Sequence, residues 1–81
     1  MEPGEAARRV LRESGAALHW TVIWDTALRA GYINPLVQPD ARDALVRWLA
    51  EAARRGDVVK TSTGTYRIGD GRDDREGNAA G

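Results

Sequence analysis

The sequence predicts one small α+β domain with its elements in the order helix, strand, helix, helix, strand, strand, followed by a disordered tail. Three observations carry this. Apolar residues recur with a helical period in three segments, a pair of strand-like runs brackets Thr63-Gly64, and from Asp70 onward Ala79 and Ala80 are the only apolar side chains.

The first helix spans Glu5 to Glu13, where Ala6, Ala7, Val10 and Leu11 form a stripe flanked by Arg8, Arg9 and Arg12, and Ser14-Gly15 ends it. Ala17-Leu18 is too short an apolar step for a helix and suits a small strand. Thr21 is placed to cap the second helix, in which Ile23, Ala27 and Ala30 recur before Gly31. Pro35 and Pro39 make Tyr32 to Pro39 a loop. Asp40 is a natural N-cap for a third helix whose Ala41, Ala44, Leu45, Trp48, Leu49 and Ala52 fall on one stripe. Arg54 and Arg55 complement its negative end before Gly56. Asp57 to Ser62 and Thr65 to Ile68 read as a hairpin. A tight turn at Thr63-Gly64 sets Ser62 opposite Thr65, Thr61 opposite Tyr66, Lys60 opposite Arg67 and Val59 opposite Ile68. Val59, Thr61, Tyr66 and Ile68 would then face the helices, leaving Lys60 and Arg67 as a like-charge pair on the outer face. This order of elements is that of a winged helix-turn-helix, with residues 1–69 as the domain and 70–81 as the Gly-, Asp- and Arg-rich tail.

Composition narrows the chemistry. Twelve Lys and Arg balance twelve Asp and Glu, but unevenly: the tail holds two Arg against four carboxylates, so the domain carries ten cations against eight. That excess supports only a modest attraction to a polyanion. The absence of Cys excludes disulfides, thiolate nucleophiles and thiolate zinc sites. One histidine, His19, cannot furnish a metal site or show a triad partner by spacing, so it reads as a hydrogen-bonded structural residue. Gly69-Asp70-Gly71 precedes no helix and is no phosphate loop. The expectation is a non-enzymatic, cytoplasmic protein without cofactor, metal or membrane segment.

Two surfaces could bind a partner. On the third helix Asp43, Val46, Arg47, Ala50 and Arg54 lie opposite the core stripe, and the small Ala50 between Arg47 and Arg54 permits close approach to a groove of double-stranded DNA. Arg42 flanks them. On the hairpin, Lys60, Ser62 and Arg67 join the hydroxyls of Thr63 and Thr65 as candidate phosphate contacts. Against this, Asp43, Arg47, Glu51 and Arg55 succeed one another four apart, an alternating ladder that would occupy Arg47. The alternative surface is apolar. Trp24 and Leu28 sit toward the edge of the second helix, where Tyr32, Leu36 and Val37 are expected to fold back over them. Left uncovered, that strip would take a protein partner or form a homodimer. Trp48 belongs to the core stripe, and Trp20 lies near Ile23 and Ala27.

Glu5 to Ile68 also resembles the HARE-type winged helix, found at the N-terminus of the bacterial RNA polymerase delta subunit and in chromatin-associated proteins. The residues carrying the likeness are Ala6-Ala7-Arg8-Arg9-Val10-Leu11, then Gly15-Ala16-Ala17-Leu18-His19-Trp20-Thr21-Val22-Ile23, then Ala27-Leu28-Arg29-Ala30-Gly31-Tyr32-Ile33, and finally Gly64-Thr65-Tyr66-Arg67-Ile68. The resemblance implies nucleic-acid or transcription-related binding, with some members using the fold to contact proteins.

Overall fold

A computed structural model describes residues 1–69; the expected disordered tail lies outside the described residues. The chain is a small α+β domain of three helices and a three-stranded antiparallel sheet: α1 Pro3–Ser14, β1 Leu18–His19, α2 Trp20–Arg29, α3 Ala41–Arg55, β2 Val58–Ser62 and β3 Thr65–Ile68. The sheet order is β1-β3-β2, so the last strand lies in the middle.

Burial selects the predicted faces. Ala6, Ala7, Val10 and Leu11 of α1 meet Leu45, Leu49 and Ala52 of α3, with Ile23 and Ala27 of α2, Ile33 of the following loop, Val58 and Tyr66 completing the core. Five of the thirteen buried apolar residues are alanines, which lets the helix backbones approach closely. No side-chain N or O is buried without a partner among the described residues, and none of their helices is long and apolar enough to cross a membrane.

Several boundaries differ from expectation. Helix α1 starts two residues earlier, with Pro3 in its first turn, where a missing N–H costs nothing. Strand β1 is Leu18–His19 rather than Ala17-Leu18, because Leu18 pairs with Tyr66 and His19 with Thr65. Thr21 does not cap α2. His19 does: its extended backbone, φ −67° and ψ 150°, ends β1, and its ring accepts from the Thr21 N–H. Asp40 does occupy the N-cap of α3, but its side chain makes no capping bond.

The hairpin register departs further. Ser62 pairs with Thr65 as expected, but the ladder then slips: Lys60 faces Tyr66, Val59 faces Arg67 and Val58 faces Ile68. Thr61 is the extra residue of a bulge, its hydroxyl donating to the Thr65 carbonyl at 3.5 Å. Two adjacent valines could each have entered the core. Val58, 1% exposed, takes that position, whereas Val59 is half-buried and Thr61 exposed.

Candidate nucleic-acid interface

Helix α3 displays the predicted outward stripe: Arg42, Asp43, Val46, Arg47, Ala50 and Arg54 are all exposed. The stripe is rigid because its opposite side, Ala41, Leu45, Leu49 and Ala52, is buried. The expected ladder through Asp43, Arg47, Glu51 and Arg55 does not form. Arg54 takes Glu51 from three residues away, and Arg55 turns off the helix to Asp57 at 3.0 Å. Among the described residues Arg42 and Arg47 have no ion-pair partner, so neither guanidinium is occupied by a carboxylate.

The hairpin continues from the C-terminal end of α3 through Gly56 and Asp57. Lys60, Ser62 and Arg67 are exposed, and neither cation is in an ion pair among the described residues. The predicted side-by-side pair of Lys60 and Arg67 is nevertheless absent. The bulge places Lys60 opposite Tyr66, on the sheet face that carries the core, and Arg67 opposite Val59 on the other face. The like-charge penalty disappears with it. Arg67 Nη1 instead donates to the adjacent Ile68 carbonyl at 3.3 Å. Three of the predicted cations, Arg42, Arg47 and Lys60, therefore stand open on α3 and on the helix side of the sheet, while Arg67 belongs to the opposite side.

The alternative apolar strip is rearranged. Trp24, Leu28 and Tyr32 are half-buried and packed against the core. Leu36 and Val37 do not fold over them: they are 92% and 74% exposed. The cause is a tight turn at Asn34, whose side-chain oxygen accepts from the Leu36 N–H at 3.0 Å while its carbonyl accepts from Val37 and Gln38. Tyr32 reaches toward α1, where its hydroxyl donates to Glu13 at 2.8 Å and its ring lies beneath Arg9. That bond and the one from Arg9 hold the Glu13 carboxyl below its ordinary value, the tyrosine contributing more. Chiefly through the same carboxylate, the Tyr32 phenol titrates above its ordinary value.

A third feature escaped sequence reasoning. Trp48 is half-buried at the junction of α1 and α3, in an open groove of about 720 Å³ that also takes in Gly4, Arg8 and Arg12. The Arg8 and Arg55 guanidinium groups lie 5.6 Å and 5.9 Å from its ring, and both bind Asp57. The signal was available in Gly4: a Cβ there would overlap Trp48 Cδ1, so only glycine lets the indole sit so close. His19 was read correctly as a hydrogen-bonded residue, with Nδ1 2.8 Å from the Thr21 hydroxyl. Among the described residues no group of three His, Asp or Glu is placed to hold a metal.

Compared with family models, with curated proteins and with solved structures, the chain matches none.

Proposed function

We propose that the domain is a winged helix-turn-helix module of the HARE type that binds duplex DNA without catalysis, acting in or beside transcription. In this reading the outward stripe of α3 enters the major groove and the hairpin meets the backbone. The sheet order β1-β3-β2 and the sequence of elements support it.

One observation carries the DNA assignment. Of the ten cationic side chains in residues 1–69, Arg8, Arg9, Arg29, Arg54 and Arg55 are in ion pairs among the described residues. Three of the remaining five, Arg42, Arg47 and Lys60, are among the positions singled out for phosphate or base contact; Arg67, on the other sheet face, and Arg12 are the other two. A phosphate approaching these three displaces no carboxylate of the described residues. With only a few such contacts, affinity depends on salt with a slope of about −0.9 per phosphate neutralised.

The test is fluorescence anisotropy of a labelled duplex at several salt concentrations. Arg42→Ala, Arg47→Ala and Lys60→Ala should each weaken binding and reduce the slope by about one unit. Arg67→Ala, on the other sheet face, should leave the slope unchanged. Binding that ignores salt, or that survives the triple replacement of Arg42, Arg47 and Lys60, overturns the assignment.

The exposure of Leu36 and Val37 favours a second reading, in which the loop after α2 inserts into a protein partner or a second copy of the chain. Leu36 is the right probe, because Trp24 packs on the core and its removal would disturb the fold. Leu36→Asp should change stability by no more than about 0.5 kcal/mol, as a surface replacement does. It should also lower any self-association seen by sedimentation. A wild-type chain that sediments as a monomer at high concentration removes the homodimer form of this reading.

A further inference from the structure

We propose that Asp43 and Val46 are the base-reading residues of α3, and that the duplex this chain prefers presents a C·G pair beside a T·A pair in its major groove. This rests on the DNA assignment and extends it: the cations attach the domain to any sequence, while these two side chains choose among sequences.

Ion pairing divides α3 into two halves. Toward its C-terminus Arg54 is taken by Glu51 and Arg55 by Asp57. Toward its N-terminus Arg42, Asp43 and Arg47 are exposed and in no ion pair among the described residues. Asp43 and Arg47 stay apart even though they stand four residues from each other, the spacing at which helical ion pairs form. Val46 is 37% exposed amid these charged groups, and Ala50, one turn on, is too small to hold the helix away from a groove. A recognition helix offers its N-terminal residues to the base edges, and in α3 that is the half whose charged groups are unoccupied.

Neither side chain suits a phosphate. A carboxylate repels it, and an isopropyl group gives it no hydrogen bond, so both detract from a surface built for the backbone alone. Both suit a base edge. An ionised carboxylate can only accept, and the cytosine N4 amino group is its partner in the major groove; guanine presents acceptors there, and adenine sets its amino group beside the N7 acceptor. The Val46 methyl groups match the C5-methyl of thymine. Three residues along an α-helix advance about 4.5 Å, against about 3.4 Å for one base-pair step. A helix lying along the groove therefore sets the two contacts on neighbouring pairs. Asp43 also stands in the first turn of α3, where its charge complements the helix dipole; that role involves no base, and base preference separates the two.

Selection from a random duplex library by the full chain at low salt, followed by fluorescence anisotropy on the enriched duplex, tests this. The enriched sequence should contain the adjacent C·G and T·A pairs, and replacing its C·G pair should weaken binding roughly ten-fold, within the usual cost of one mismatched pair. Asp43→Asn removes a charge that phosphates repel. It should bind every duplex at least as tightly as the wild-type chain, and its preference at that position should move from C·G toward adenine, which an amide side chain matches; a carboxylate serving the dipole alone would leave the preference in place. Deoxyuridine in place of the thymine removes one methyl group and should cost about four-fold, a loss that Val46→Ala should not show. Duplex binding with no enriched sequence, an Asp43→Asn chain that keeps the C·G preference, or a deoxyuridine duplex bound as tightly as its thymine counterpart would each overturn the base-reading roles and leave the DNA assignment intact. Retention of no duplex at all would overturn both.

Discussion

At the scale of single residues, placement of charge decides what the surface can do. Glu13 is bound by both Tyr32 and Arg9, so its carboxyl prefers the ionised form in the folded chain more than in the unfolded one. A carboxylate with a lowered folded value contributes stability above its unfolded value, and that contribution is lost as pH falls through the acid range. Tyr32→Phe removes the larger of the two causes. We expect the Glu13 titration, followed by carbon-detected NMR, to move up toward the ordinary 4.5, with a shallower loss of stability in acid; an unmoved titration would assign the effect to Arg9 alone. Asp57 works differently, joining Arg8 of α1 to Arg55 of α3 through one carboxylate oxygen.

At the scale of elements, the hairpin is governed by two demands that disagree by one residue. The turn requires Ser62 opposite Thr65, while the core requires Val58 beside Tyr66 and Ile68. The bulge at Thr61 absorbs the difference. Deletion of Thr61 is therefore expected to preserve the pairs Lys60–Tyr66 and Val58–Ile68 and to give an uninterrupted ladder, seen as unchanged cross-strand NOEs between those residues. A register in which Val59 replaces Val58 in the core after the deletion would show that the turn, rather than the core, dominates. The short β1 adds a third strand to this hairpin and brings its turn against α2, so the hairpin is anchored at its tip as well as its base, where the Gly69 N–H donates to the Asp57 carbonyl at 2.8 Å.

For the whole molecule, stability rests on few large side chains. Leu11, Ile23, Leu45, Leu49 and Val58 are the largest that are fully buried, and alanines fill much of the remaining contact. A chain of this size has a net stability of roughly 3–10 kcal/mol, and a buried Leu→Ala replacement costs about 2–5 kcal/mol. Leu49→Ala, in the middle of α3, should therefore bring urea unfolding close to zero denaturant. A midpoint that scarcely moves would mean that the helices collapse onto the vacancy. Because the core is this lean, the cations proposed to meet DNA are best placed where they are, on the outer side of α3 and at the hairpin, where replacing them disturbs no packing.

Local pattern determined much of this protein by itself. The helical stripes, the caps at Gly15 and Gly56, the turn at Thr63-Gly64 and the outward face of α3 all follow from spacing along the chain, because burial of one helix face and the needs of a tight turn act over a few residues. What the tertiary structure decided were the choices between local solutions of similar energy. Val58 rather than Val59 entered the core, His19 rather than Thr21 capped α2, Arg55 turned to Asp57 rather than Glu51, and Leu36 and Val37 pointed outward. Val58 depends on its partner across the hairpin, His19 on its pairing with Thr65, Arg55 on an Asp57 that Arg8 of α1 also holds, and the loop on a turn held by its own hydrogen bonds. No periodicity records which of two neighbouring side chains will find such a partner first.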